Sequence, residues 1–138
     1  MQFEARNEEE MIAVGRSIAA MLPDRATVIL TGDLGSGKTT LVKGIAAERA
    51  RISEDEISSP TFALIHEYGE PVSVYHIDLY RLDTEREILG LGLDEIFDRN
   101  ALVLLEWGER FKRLIPVTHQ IRIDALEKGR RIHLDAKV

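Results

Sequence analysis

The stretch Gly32-Asp33-Leu34-Gly35-Ser36-Gly37-Lys38-Thr39 constrains this chain more than any other. It reads G-x-x-x-x-G-K-T, the pattern of a phosphate-binding loop. Glycines let the backbone turn tightly and approach an anion with no Cβ in the way. Successive N–H groups then converge as an anion nest. Lys38 adds a mobile point charge for β and γ phosphates, and Thr39 a hydroxyl suited to Mg²⁺. The flanks match. Ala26-Thr27-Val28-Ile29-Leu30-Thr31 is short, apolar and β-branched, as a buried strand is, and Thr40 to Arg49 carries apolar residues at helical spacing. Strand, loop and helix follow in the order that aims the positive end of a helix dipole at the loop.

The chain has 138 residues, enough for one domain with a core, and 44% of them are hydrophobic. No stretch has the length of a membrane span. The segment Met1 to Glu8 lacks the basic region and apolar core of a signal peptide, so the cytoplasm is the expected location. With no cysteine, disulfides and thiolate metal sites are excluded. The formal net charge of −6 argues against a protein that grips nucleic acid through its overall field.

The remaining sequence predicts one α/β domain over 1–138. Asn7 is placed to cap a first helix, with Glu10 three residues on as in a capping box, and Pro23-Asp24 ends it. Its acidic first turn suits the helix dipole or a contact with a nucleotide base. Ile52 to Ser58 reads as loop. Phe62–Tyr68 and Val72–Tyr80 read as strands joined through Gly69-Glu70-Pro71 into an antiparallel hairpin. Thr84 is placed to cap a short helix to Leu89, with Gly90 and Gly92 breaking it and a further helical turn over Leu93–Phe97. Ala101–Leu105 is an apolar strand ending in Glu106. Thr118–Asp124 and Arg131–Asp135 alternate with period two around a turn at Glu127–Arg130, a second hairpin. The fold class expected is α/β, a mixed sheet with a parallel core made by the strands before the loop and before Glu106, flanked by antiparallel hairpins.

A nucleoside triphosphatase needs a second anionic group near the metal, a group that positions water and a sensor of the γ-phosphate. Glu106 ends an apolar strand, the Walker B arrangement, with Glu in place of the usual Asp. Asp78 lies in an apolar and aromatic run. It must have a partner there or face a cleft; hydrogen bonding to Arg81 or His76 is the structural alternative. Thr61, on a proline-stiffened loop, suits a segment that orders on a γ-phosphate. Trp107, the only tryptophan, belongs to the core or borders the nucleotide. His66, His76, His119 and His133 form no metal-ligand spacing and read as structural. Arg130 and Arg131 are solvated or contact nucleotide or tRNA. The candidate nucleotide-binding set is Asp33, Leu34, Gly35, Ser36, Gly37, Lys38, Thr39, Thr40 and Trp107; the candidate catalytic set is Lys38, Thr61, Asp78 and Glu106; the candidate metal ligands are Thr39 and Glu106.

Four motifs in order carry a family resemblance: Gly32 to Thr40, Ser59-Pro60-Thr61-Phe62, Tyr75-His76-Ile77-Asp78-Leu79-Tyr80-Arg81-Leu82 and Leu104-Leu105-Glu106-Trp107-Gly108-Glu109. The chain resembles the bacterial TsaE (formerly YjeE) ATPase family over nearly its whole length. The resemblance implies a P-loop NTPase fold with ATP and Mg²⁺ as ligands. It also implies a role in forming threonylcarbamoyladenosine in tRNA, with TsaD as the transferase, TsaB as its partner and ATP hydrolysis resetting that complex. It puts Lys38 on the phosphates, Thr39 on Mg²⁺, Glu106 in the Walker B position and Asp78 near metal and attacking water. Ser59-Pro60-Thr61 becomes a switch, and Trp107 lies near the nucleotide. Two departures stand out. Ser36 replaces a frequent alanine, and Met11 replaces a threonine often found in the first helix. The rival readings are a small-molecule kinase and a nucleotide-gated binding module with negligible turnover. A GTPase is disfavoured by the lack of an Asn-Lys-x-Asp segment.

Overall fold

The structure, a computed structural model, describes residues 1–33, 35–57 and 64–136. Strands β1 (Gln2–Ala5), β2 (Ala26–Thr31), β3 (Ile65–Tyr68), β4 (Val74–Asp78), β5 (Leu102–Glu106), β6 (His119–Leu126) and β7 (Gly129–Ala136) form one sheet in the order β1-β7-β6-β2-β5-β4-β3. Four strands, β6, β2, β5 and β4, are mutually parallel. At one edge β7 pairs antiparallel with β6 and β1 antiparallel with β7; at the other β3 pairs antiparallel with β4. The mixed α/β sheet and the parallel pair β2 and β5 are as expected from the sequence, but the parallel core is wider: β4 and β6, one strand of each hairpin, join it in parallel rather than lying antiparallel beside it.

Strand β2 is buried on both faces, which is why it reads as a continuous apolar run rather than an alternation. Val28 and Leu30 pack with Leu102 and Leu104 under helices α1 (Glu8–Met21) and α2 (Lys38–Ala50). On the other face Ile29, Tyr75, Ile77, Val103 and Leu105 meet Ile88 of helix α3 (Glu85–Leu89), Ile96 and Phe97 of helix α4 (Leu93–Phe97), and Phe111 of a 3-10 segment, Gly108–Leu114.

Helices α1 and α2 touch backbone to backbone. A Cβ on Gly15 would come 2.5 Å from the Leu41 carbonyl oxygen, and one on Gly44 2.2 Å from that of Ile12. Arg49 of α2 donates to the Ala19 carbonyl at 2.8 Å, satisfying an acceptor at the end of α1, whose own last turn has no basic residue.

Local signals are mostly confirmed, with corrections. Asn7 caps α1, accepting from the Glu10 N–H at 2.8 Å, but the Glu10 carboxylate reaches back to the Arg6 N–H rather than that of Asn7. The capping box is therefore one residue longer than the pattern predicts. Thr84 and Glu87 do form one at α3. The segment read as loop contains a 3-10 turn, Glu54–Glu56, capped by Ser53. The sequence does not predict strand β1, and β4 is shorter at both ends than Val72–Tyr80. Leu34, and the Ser59–Thr61 part of the expected switch, lie outside the described residues.

Candidate functional site

The chemistry gathers where the parallel strands end. Helix α2 begins at Lys38 directly after the glycine turn. Its N-cap, Gly37, has φ +103°, and a Cβ there would meet the Met11 Cε at 2.7 Å. The backbone thus requires glycine here, whereas the Met11 methyl, at the end of a flexible side chain, could move aside. Gly37 has no side chain with which to cap, and no acidic residue occupies the first turn of α2. The positive end of the helix dipole is left for an anion from outside.

Strands β4 and β5 bring Asp78 and Glu106 together. The two are in register on neighbouring parallel strands, at the last position of each. The Asp78 N–H donates to Leu64 and the Leu79 N–H to the Glu106 carbonyl, so the ladder extends past both carboxylates. The Asp78 carboxylate accepts from the Tyr80 N–H at 2.9 Å, a turn of its own making. Neither Arg81 nor His76 is its hydrogen-bond partner among the described residues. Burial raises the Asp78 pKa and so does the neighbouring charge of Glu106; the Tyr80 N–H, His76 and Lys38 oppose the rise.

Glu106 is only 5% exposed, and its Oε2 lies 2.5 Å from Nε2 of fully buried His76. Lys38 is 7% exposed. Its ammonium donates to the Gly32 carbonyl at 2.8 Å and lies 4.4 Å from the centroid of the Trp107 ring. Trp107 holds φ +65°, a left-handed conformation that costs an L-residue about 1–2 kcal/mol. That backbone, with Tyr80 at 5.0 Å between ring centroids, sets the indole beside the ammonium. Arg130, just past the turn of the β6–β7 hairpin, donates to the carbonyls of Ser36 at 3.0 Å and Gly35 at 3.3 Å. It braces the loop from the hairpin.

These groups line a cleft of about 600 Å³ with Gly35 to Thr40, Asp78, Glu106, Trp107, Arg130 and the start of α1 on its walls. Of the candidate residues, Gly35, Ser36, Gly37, Lys38, Thr39, Thr40, Asp78, Glu106 and Trp107 come together there. Asp33 does not; it is exposed, and its carbonyl accepts from the Ser36 N–H at 3.0 Å. Leu34 and Thr61 are outside the described residues. Two further side chains belong to the site. His76, which the sequence reads as structural, shares one face of β4 with Asp78 through its i, i+2 spacing and bonds Glu106. Arg130, which the sequence reads as solvated or in contact with nucleotide or tRNA, lines the cleft and holds loop carbonyls. Among the described residues no cluster of three or more His, Asp or Glu side chains could by itself enclose a metal ion.

The fold and the cleft define a class: an α/β protein with a mixed seven-stranded sheet, in which an uncapped helix terminus and two carboxylates meet at the ends of adjacent parallel strands. Residues 5–133 match the family model for threonylcarbamoyl adenosine biosynthesis protein TsaE. The chain belongs to the TsaE family. It is 38% identical over 117 residues to the tRNA threonylcarbamoyladenosine biosynthesis protein TsaE of Bacillus subtilis, covering 84% of this chain and 72% of that one. With the protein of the same description from Treponema pallidum it shares 32% identity over 132 residues, 95% of this chain and 96% of the other. The crystal structure of Bacillus subtilis YdiB superposes with a TM-score of 0.76 at 33% identity, spanning 99% of this chain and 84% of that one.

Proposed function

We propose that this protein is a P-loop NTPase that binds and hydrolyses ATP with Mg²⁺ and serves the formation of threonylcarbamoyladenosine in tRNA, acting on a complex of TsaD and TsaB. The observation that carries the reading is the juxtaposition of an uncapped, glycine-led helix terminus with Lys38, Asp78 and Glu106 around one cleft. The family relationship supplies the tRNA pathway.

The cleft fits a triphosphate in its donor chemistry. The first amides of α2 have no side-chain cap, and the Lys38 ammonium rests on a carbonyl of its own loop. A phosphate would provide the charge that both lack. Mg²⁺ would be held by the Thr39 hydroxyl and a Glu106 oxygen, and would supply positive charge against the phosphate oxygens. Lys38 and the loop amides stabilise charge on the γ-phosphate oxygens. Asp78, half-buried and next to Glu106, orients the attacking water. Trp107 walls the site and limits the room in which Lys38 moves.

Partner action is tested with a TsaB–TsaD pair and tRNA, counting modified adenosines per complex with ATP and with or without this chain. Many rounds with it and about one without support the reading. Equal rounds in both reactions, with the pair shown active, contradict it.

A further inference from the structure

The Glu106 carboxylate is buried with one hydrogen-bond partner among the described residues, and that partner is His76. A carboxylate in such a place requires a donor. Lys38, a cation lining the same cleft, bonds the Gly32 carbonyl instead. His76 has no exposure, and its Nδ1 has no partner among the described residues. The surroundings therefore favour the tautomer with the proton on Nε2, donating to Glu106. As a core residue His76 is a poor choice, since an aliphatic side chain in the middle of β4 would leave no polar atom unpaired. Among the described residues the one hydrogen bond that its ring makes is with Glu106.

The geometry points to His76 as the positioning residue of the site: it ties Oε2 of Glu106 back against β4 and leaves Oε1 as the single oxygen offered to the cleft. This rests on the nucleotide-binding reading given above and deepens it. The tether suits the glutamate found where an aspartate is usual. A glutamate side chain has one more rotatable bond than aspartate, and anchoring one oxygen removes that freedom. The free oxygen then holds a fixed height beside Asp78, its register partner.

Two variants separate positioning from packing. His76→Gln can place an amide N–H close to the Nε2 position, whereas the shorter His76→Asn ends near Nδ1 and does not reach Glu106. The readout is ADP affinity by calorimetry with Mg²⁺ and with chelator. Wild type binds more tightly with Mg²⁺. In His76→Asn that gain falls about tenfold, a typical effect of removing a partner that orients a metal ligand, while affinity in chelator is unchanged. His76→Gln keeps most of the gain. Equal behaviour of the two variants, or an unchanged gain in His76→Asn, overturns the proposal. The second measurement uses the wild-type protein without nucleotide. Nitrogen-15 spectra of the imidazoles should show His76 protonated at Nε2, with that resonance moved in Glu106→Gln. Protonation at Nδ1 alone contradicts the tether, even if neither His76 variant folds. A wild-type protein that binds no ADP refutes the nucleotide reading, and these spectra still decide the His76–Glu106 bond.

Discussion

The Lys38 ammonium lies 4.4 Å from the centroid of the Trp107 ring and donates to the Gly32 carbonyl at 2.8 Å. A cation over an indole face gains about 0.5–2 kcal/mol, more as water is excluded. The lysine is thus held ready, on contacts weak enough for a phosphate to displace.

Trp107 should therefore report on the cleft, because it is the only tryptophan in the chain. Adding Mg²⁺–ATP should change its emission as Lys38 moves off the ring. In Lys38→Ala, calorimetry should show affinity weaker by about 10- to 100-fold, the value of a hydrogen bond to a charged group. Undiminished affinity would remove Lys38 from the phosphate site.

Bracing of the loop by Arg130 predicts an effect confined to that loop. In Arg130→Ala the Ser36 amide, which is bonded to the Asp33 carbonyl, should exchange hydrogen several times faster while amides of β2 are unaffected. Uniform exchange rates across wild type and variant would mean that Arg130 is merely a surface charge.

Helix contact through Gly15 and Gly44 predicts a steric cost. Alanine ordinarily improves a helix by about 1 kcal/mol over glycine. In Gly44→Ala, however, the new methyl meets a backbone atom that cannot rotate away. Net destabilisation of about 1–3 kcal/mol should lower Tm by several degrees. Gly90→Ala, where the nearest such atom is 3.5 Å away, should have little effect in the same melting experiment.

The Asp78 carboxyl titrates above the ordinary aspartate value of 3.8 in the folded protein, chiefly because it is buried. The folded state therefore holds its proton more tightly than the unfolded chain does. Below 3.8 both states are protonated; as pH rises through the raised folded value, the protein loses stability relative to a side chain that cannot ionise. Asp78→Asn keeps an acceptor for the Tyr80 N–H. Its Tm should exceed that of wild type at pH 7, and the difference should vanish as pH falls below 3.8.

What the sequence made legible was local. The loop from Gly32 to Thr39 announces itself because strand, turn and helix are contiguous, and Asn7 and Thr84 cap helices that begin at the next residue. What it concealed was distant. Strand β1 is four residues long and exists because it pairs with β7, so that Gln2 lies opposite His133. Arg130 braces Ser36 across 94 residues, and His76 reaches Glu106 across 30. Neither contact leaves a spacing that a single sequence displays. Pairing β4 with β5 in register is what turns an acid at the end of one strand and a His-x-Asp on another into a single site.

The most direct test is Mg²⁺-dependent ATP hydrolysis by wild type and Asp78→Ala, each with the TsaB–TsaD pair and tRNA. The partners should stimulate hydrolysis by wild type, and Asp78→Ala should bind ATP but lose most of that rate. Hydrolysis by Asp78→Ala at the wild-type rate, or a wild-type rate that the partners and tRNA leave unchanged, would contradict the proposed function.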